Sequence, residues 1–177
     1  PTLAAGALDP GDILPDWTTA ERAALLRRGV FTPATYGRIR FHHRSTQEYL
    51  TAQWLRRALE SGCPRSEVMG LLFANPYGVR TAVPSMRPAA AWLALDDVQV
   101  RDELLEREPL ELIRYGDPRS LPIVTKARLL TVYADRQAAG EVTNDSVDRL
   151  SFWMFSEPAL APAIREAWER NTDPSFR

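Results

Sequence analysis

At 177 residues the chain has room for one large domain or two small ones, and its 45% apolar and 25% charged residues are those of an ordinary globular protein. A formal charge of −1 excludes a nucleic-acid binder working through overall positive charge, so any basic partner surface must be local. Without a signal peptide or an apolar run near the ~20 residues of a bilayer span, and with Cys63 as the lone cysteine, the chain reads as cytoplasmic, with no membrane partner and no intrachain disulfide.

Of the 22 basic residues only Lys126 is a lysine, an arginine-heavy bias that often reflects GC-rich coding and leans toward a bacterial source. A start at Pro1 without methionine is what a piece of a longer protein would show. The opening "PTLAAGALDPGDILP" is rich in proline, glycine and small residues, so residues 1–16 read as a linker or severed edge. Asp16 or Thr18 then caps a helix over Thr19–Arg28 that turns Leu25 and Leu26 inward and stops at Gly29. "VF" and "YGRIRFHH" follow, separated by "TPAT". In the second piece Ile39, Phe41 and His43 alternate with Arg38, Arg40 and His42, the period of a half-buried hairpin strand with a basic outer face.

The period then changes. In "STQE" Ser45 stands as N-cap with Glu48 three residues on, a capping box whose cap contributes ~1 kcal/mol. Leu50, Trp54 and Ala58 recur every four residues, flanked by Leu55 and Leu59, which predicts an amphipathic helix from Tyr49 to Leu59. Beyond Gly62 the strong signals are helical: Ser66–Ala74, Pro88–Leu95, Val98–Arg107, Pro109–Tyr115, Thr125–Ala138, Asp145–Ser156 and Ala159–Arg170. Pro64, Pro88, Pro109 and Pro158 mark starts, Asn144 or Asp145 a cap, and Gly116 and Gly140 stops. "NPYGVRTAVPSM" is the least regular interior stretch, fitting a hinge, a binding loop or a plain surface connection. Trp92, Trp153 and Trp168 fall on apolar stripes and are expected in the core.

The predicted fold is therefore mainly α, a helical bundle or stacked helix pairs with one short β-hairpin near the N-terminus. Its packed part should bury one continuous core, or two divided near Gly62 or across Tyr77–Pro88. "AAAWLAL", "KARLLTV" and "DRLSFWM" occupy comparable places, but their uneven spacing gives only partial support for a helical repeat.

Catalytic signatures are missing. The sequence holds no GxxxxGK[ST] phosphate loop, no GxSxG elbow, no HExxH and no CxxC pair. Cys63, before Pro64, reads as a small packed residue. His42 and His43, the only histidines, should point to opposite faces of a strand, a poor start for a metal site that wants three or four protein ligands. The acidic pairs Asp96–Asp97 and Glu106–Glu108 lie at helix ends, where a solvated role is expected. Neither a catalytic constellation nor a metal site is predicted, which argues against an enzyme.

"RFHHRSTQEYLTAQWL" nevertheless resembles the F-x-H-x-S-x-Q-E-[YF]-x-A-A signature that ends the winged-helix region of NACHT-type STAND signalling NTPases. Phe41, His43, Ser45, Gln47, Glu48 and Tyr49 match; Thr51 replaces the first small alanine and Ala52 keeps the second. The preceding "LLRRGVFTPATYGRIRF" resembles the helix and wing hairpin of bacterial members, so the likeness covers about residues 17–60. A looser one extends through "PAAAWLALDD" and "LLEREPLELIRYGD". The resemblance implies a division into the end of a winged-helix-like region (17–45), an α-helical domain (46–171) and a tail (172–177). It implies a parent protein whose upstream nucleotide-binding domain handles ATP and ADP, this stretch itself holding no cofactor. By position, His43 would contact the nucleotide phosphate from the winged-helix side, while the helices lead toward a region that senses an unknown ligand or protein.

Physical chemistry adds to that implication. His43 precedes a helix N-terminus, where free amides and the dipole favour an anion, and Arg38, Arg40 and Arg44 are further candidate phosphate or partner contacts. Ser45 and Glu48 would occupy some of those amides, so contact through the imidazole is the better route. Alternatively, His43 continues the Ile39–Phe41 face and bonds a backbone carbonyl at the corner. Three functional readings follow: a non-catalytic regulatory segment of a bacterial signalling NTPase, a winged-helix module gripping nucleic-acid phosphates through Arg38 and Arg40, or an enzyme with an acid–base cluster of His42, His43 and Glu48, beside which no nucleophile or metal is supplied. The second is disfavoured, because the proline-rich start offers no helix to support a recognition helix.

Overall fold

Mostly helical, the computed structural model describes residues 9–34, 38–141, 153 and 155–170, and the chain divides into two units, Pro1–Thr51 and Ala52–Arg177. The expected linker holds a helical turn in the first unit, α1 (Pro10–Ile13). Asp9 explains it: its Oδ1 accepts the Gly11 N–H at 2.7 Å while Pro10 fills the first helical position. α2 (Thr19–Leu26) is capped by Thr18, not Asp16. Thr18 Oγ1 accepts the Glu21 N–H at 3.3 Å, and Glu21 Oε2 accepts the Thr18 N–H at 2.8 Å. These bonds, backbone first, hold the Glu21 carboxyl below its ordinary pKa. The helix ends two residues short of Arg28, and Gly29 is not left-handed, so it is no glycine stop.

β1 (Phe31–Pro33) and β2 (Ile39–Phe41) form the expected antiparallel hairpin, with Phe31 opposite Phe41, Thr32 opposite Arg40 and Pro33 opposite Ile39. Arg40 is exposed while Ile39 and Phe41 are half-buried, as period-two alternation requires. The cross-strand rings of Phe31 and Phe41 lie 5.2 Å apart, a pairing that contributes about 0.5–1.5 kcal/mol beyond area. No described side chain of this unit is fully buried.

α3 (Arg44–Glu60) begins in the first unit and continues into the second. Its buried residues are Ala52 and Leu55, with Leu59 packed beside them, while Leu50 is 43% and Trp54 59% exposed. The inward stripe is therefore not the predicted Leu50–Trp54–Ala58. A four-residue repeat drifts roughly 40° per step around a helix, whereas 52, 55 and 59 stay on one face. Gly62, at φ +92°, ends the helix, and the Cys63 N–H bonds the Ala58 carbonyl at 2.9 Å.

In the second unit α4 (Arg65–Leu72) stops before the expected Ala74, because Phe73 and Ala74 leave the helix to form β3 (Phe73–Ala74) against β4 (Thr81–Ala82). This second antiparallel ladder corrects the expectation of a single hairpin. Then come α5 (Arg87–Leu93), α6 (Val98–Arg107), α7 (Glu111–Arg114), α8 (Ile123–Ala138) and α9 (Ala161–Arg170). α6 has its predicted bounds, set by Asp97, whose Oδ1 accepts the N–H groups of Gln99 and Val100 at 3.0 and 3.1 Å. α7 is one turn, shorter than 109–115, and α8 starts at Ile123 behind Pro122. Gly116 takes φ +77°, and a Cβ there would stand 3.1 Å from the Ala91 carbonyl oxygen, so both conformation and space demand glycine. Of the helix expected over Asp145–Ser156 only Trp153, Phe155 and Ser156 are described; its cap and the tail 172–177 lie outside the described residues.

One apolar cluster runs through this unit, centred on Leu72, Leu93, Leu104, Ile113, Leu129 and Phe155, with α5 packed on α6 and α7 and α8 on α9. Trp92 borders it, but Trp153 is 69% and Trp168 43% exposed, which corrects the expectation that all three are core. Cys63 packs against the cluster as expected; burial and then the Glu67 carboxylate push its thiol pKa up, the opposite of an activated nucleophile. No described helix is long and apolar enough to cross a membrane.

Candidate functional site

The strand-to-helix corner lies within the first unit. Phe41 ends β2, and His42 and His43 form a bend before Arg44 opens α3. The His42 N–H extends the ladder by one bond, 2.8 Å to the Val30 carbonyl. Its ring follows the outer face: Nδ1 lies 2.9 Å from Thr32 Oγ1, on the residue opposite Arg40. Thr32 is thus a fixing partner that sequence reasoning missed.

His43 leaves the strand pattern. Both imidazoles are exposed, and they meet edge to face with centroids 4.5 Å apart, which corrects the expectation that they point to opposite strand faces. The reason is the bend, which ends the alternation at Phe41. The His43 carbonyl accepts the Thr46 N–H at 3.2 Å, so the backbone at this residue already serves the first turn of α3.

The predicted capping box is replaced. α3 starts at Arg44, one residue before Ser45, which places Ser45 inside the first turn. Glu48 instead accepts from Arg44 Nε at 2.9 Å, with the Arg44 side chain 78% and the Glu48 side chain 16% exposed. An i,i+4 charge-assisted bond draws the carboxylate away from the cap. Arg38 and Arg40 are exposed on the hairpin. The structure thus places His42, His43, Arg38, Arg40 and Arg44 in solvent along one hairpin and the helix it feeds. Chemically, such a surface offers cationic and ring N–H donors to anionic oxygens, with Glu48 offsetting one guanidinium. Among the described residues no cluster of three His, Cys, Asp or Glu side chains could hold a metal ion.

The second unit holds a denser polar assembly. Arg107 Nη1 donates to the carbonyls of Ala74 (3.0 Å) and Thr81 (3.4 Å), its Nε to Glu103 (2.6 Å), and its guanidinium lies 5.0 Å over the Phe73 ring. Glu108 accepts the Ala82 N–H at 3.0 Å and the Thr81 hydroxyl, and pairs with Arg87 Nε at 2.7 Å without the linear alignment of a hydrogen bond. Arg80 pairs with Glu103 and Glu106. Glu108 and Asp97 are therefore structural partners rather than solvated ends, while Glu106 and Asp96 are exposed as expected. The irregular stretch 75–86 is a turn clamped to α6, with Tyr77 at its tip in a left-handed conformation (φ 53°, ψ 29°). Nothing local announces Glu108, whose partners Thr81 and Ala82 stand 27 and 26 residues away.

No family model matches the chain, and no similar curated protein or solved structure is found.

Proposed function

We propose that this chain is a non-catalytic regulatory segment of a larger bacterial, cytoplasmic NACHT-type signalling NTPase, coupling the nucleotide state of an upstream domain to binding of a ligand or protein. The observation that carries the reading is the exposed His43 imidazole at the corner between β2 and α3, within the signature Phe41-x-His43-x-Ser45-x-Gln47-Glu48-Tyr49. An imidazole in that position is accessible to a phosphate held on another domain, and the exposed Arg38 and Arg40 add positive potential around it. ATP or ADP belongs to the parent protein in this reading, and the 177-residue chain alone binds neither. Titration calorimetry with ATP and ADP on the chain should give no heat of binding; micromolar affinity would contradict the assignment. In the parent, His43→Ala should release bound ADP about tenfold faster, the loss of one charge-assisted contact, and unchanged nucleotide retention would remove His43 from that role.

The same exposed arginines keep a nucleic-acid reading in play, since a basic hairpin can grip phosphates without reading sequence. A duplex-DNA gel shift at moderate salt that disappears in Arg38→Ala/Arg40→Ala would favour it over the nucleotide-state reading.

A further inference from the structure

Lys126, the one lysine among 22 basic residues, lies in the first turn of α8, where a cation opposes the helix dipole. Its side chain is 3% exposed, and an ammonium out of water needs partners. Nζ donates to Glu157 Oε1 at 2.7 Å and to the Arg119 carbonyl at 2.9 Å. Glu157 immediately precedes the 3₁₀ turn Pro158–Leu160 that leads into α9, so the pair ties the start of α8 to the start of the C-terminal helix. The bond is closed to water on the lysine side and open on the carboxylate side, where Glu157 is 41% exposed. Leu160 is buried in the turn, Ala167 is the buried one among the described α9 side chains, and Ile164 and Trp168 are 44% and 43% exposed.

We propose that the Lys126–Glu157 pair is a conformational latch: the intact ion pair holds residues 157–170 on α8, and breaking it releases that segment and bares the covered face of α8. The physical reason is asymmetry. A buried ammonium that loses its carboxylate keeps one carbonyl and gains most by opening to water, while the segment 157–170 contributes Leu160 to a cluster whose other members, Leu72, Leu93, Leu104 and Ile113 among them, lie elsewhere in the second unit.

Lys126 carries the single lysine ε-amine of the chain, so acylation by an amine-reactive ester, read by peptide mass spectrometry, reports opening of this joint directly. In the unaltered chain Lys126 should acylate far more slowly than a free lysine. Glu157→Gln should accelerate its acylation about tenfold or more, together with amide exchange over 161–170, while amide exchange in α6 stays unchanged. Lys126→Met/Glu157→Gln, which removes the buried charge altogether, should restore protection of 161–170. If Glu157→Gln proves too unstable to handle, the unaltered chain in urea below its unfolding midpoint gives the same readout: exchange over 157–170 rises before that of α6. Unchanged acylation in Glu157→Gln, or exchange that rises equally in α6 and α9 under either condition, overturns the latch.

Discussion

The two units use similar residues to opposite ends. The first sets Phe31, Ile39 and Phe41 on one hairpin face and buries none of them fully, while its imidazoles and guanidiniums stand in solvent. The second encloses Leu72, Leu93, Val100, Leu104 and Leu129 at 2% exposure or less and ties Arg65, Arg80, Arg87, Arg107 and Lys126 to carboxylates. A region with no enclosed side chain gains little from burial and is free to present chemistry; a region with a closed core supplies the stability. The difference teaches that the motif-bearing corner and the folding energy reside in different places, so substitutions in the two should have separable effects.

The largest test contrasts the two kinds of packing. Leu104→Ala, at a residue 0% exposed in α6, should reduce unfolding free energy by about 2–5 kcal/mol in urea melts, through lost transfer energy and the cavity left behind. Phe41→Ala should cost about 1 kcal/mol despite removing a larger side chain, because its ring is partly exposed and pairs with Phe31 in a unit with no fully buried described side chain. Equal losses would show that the hairpin is as enclosed as the core and would dissolve the contrast.

A smaller effect tests whether paired charge, as well as apolar packing, sets the second unit apart. Glu108→Ala leaves the Ala82 N–H and the Thr81 hydroxyl without their shared acceptor and Arg87 without its counter-charge, and should cost about 2–3 kcal/mol. Glu108→Gln keeps an acceptor oxygen and should recover about half of that loss. Hydrogen exchange should locate the change at β3 and β4, away from the first unit. An Ala variant as stable as the unaltered chain would reduce the clamp to a surface ion pair.

How far each region was legible follows from the range of the forces that shape it. The hairpin was readable because alternation of Ile39, Arg40 and Phe41 is a local pattern with a single geometric solution. The bounds of α6 were readable from helical spacing, although Asp97, which caps its start, reads in the sequence as a solvated end. The β3–β4 ladder was not, since two-residue strands carry no period and are held by Arg107 and Glu108 from another element. The capping box failed differently. Ser45 and Glu48 have the right spacing, yet Arg44 competes for the same carboxylate, and the pattern cannot weigh an ion pair against a cap. At the corner, the outward Arg38, Arg40 and His42 were foreseen, but His43 was expected on the Ile39–Phe41 face, and the bend that turns it off the strand into solvent and onto the edge of His42 was not. Ring packing between neighbours is invisible to periodicity.

The smallest effect separates charge from capping at a single residue. Asp97 caps α6 and also accepts from Arg65 Nη1 at 2.7 Å, with side-chain exposures of 13% for Asp97 and 43% for Arg65. Burial alone pushes its carboxyl pKa up. The bond from Arg65, the Val100 N–H, the Arg65 charge and the Gln99 N–H together pull it down, and they prevail. A folded-state value below the unfolded one means that the folded chain binds fewer protons. The contribution is therefore fully present above the unfolded value, about pH 4, and is lost as pH falls through the lowered folded value. Asp97→Asn keeps a capping oxygen and removes the charge, so at pH 7 it should cost no more than about 1 kcal/mol, given the half-exposed arginine. Stability curves of the two chains should converge as pH falls through the lowered folded value, where the native carboxyl is itself protonated. A gap that persists unchanged into acid would show that the carboxylate acts through its shape as a cap and owes nothing to Arg65.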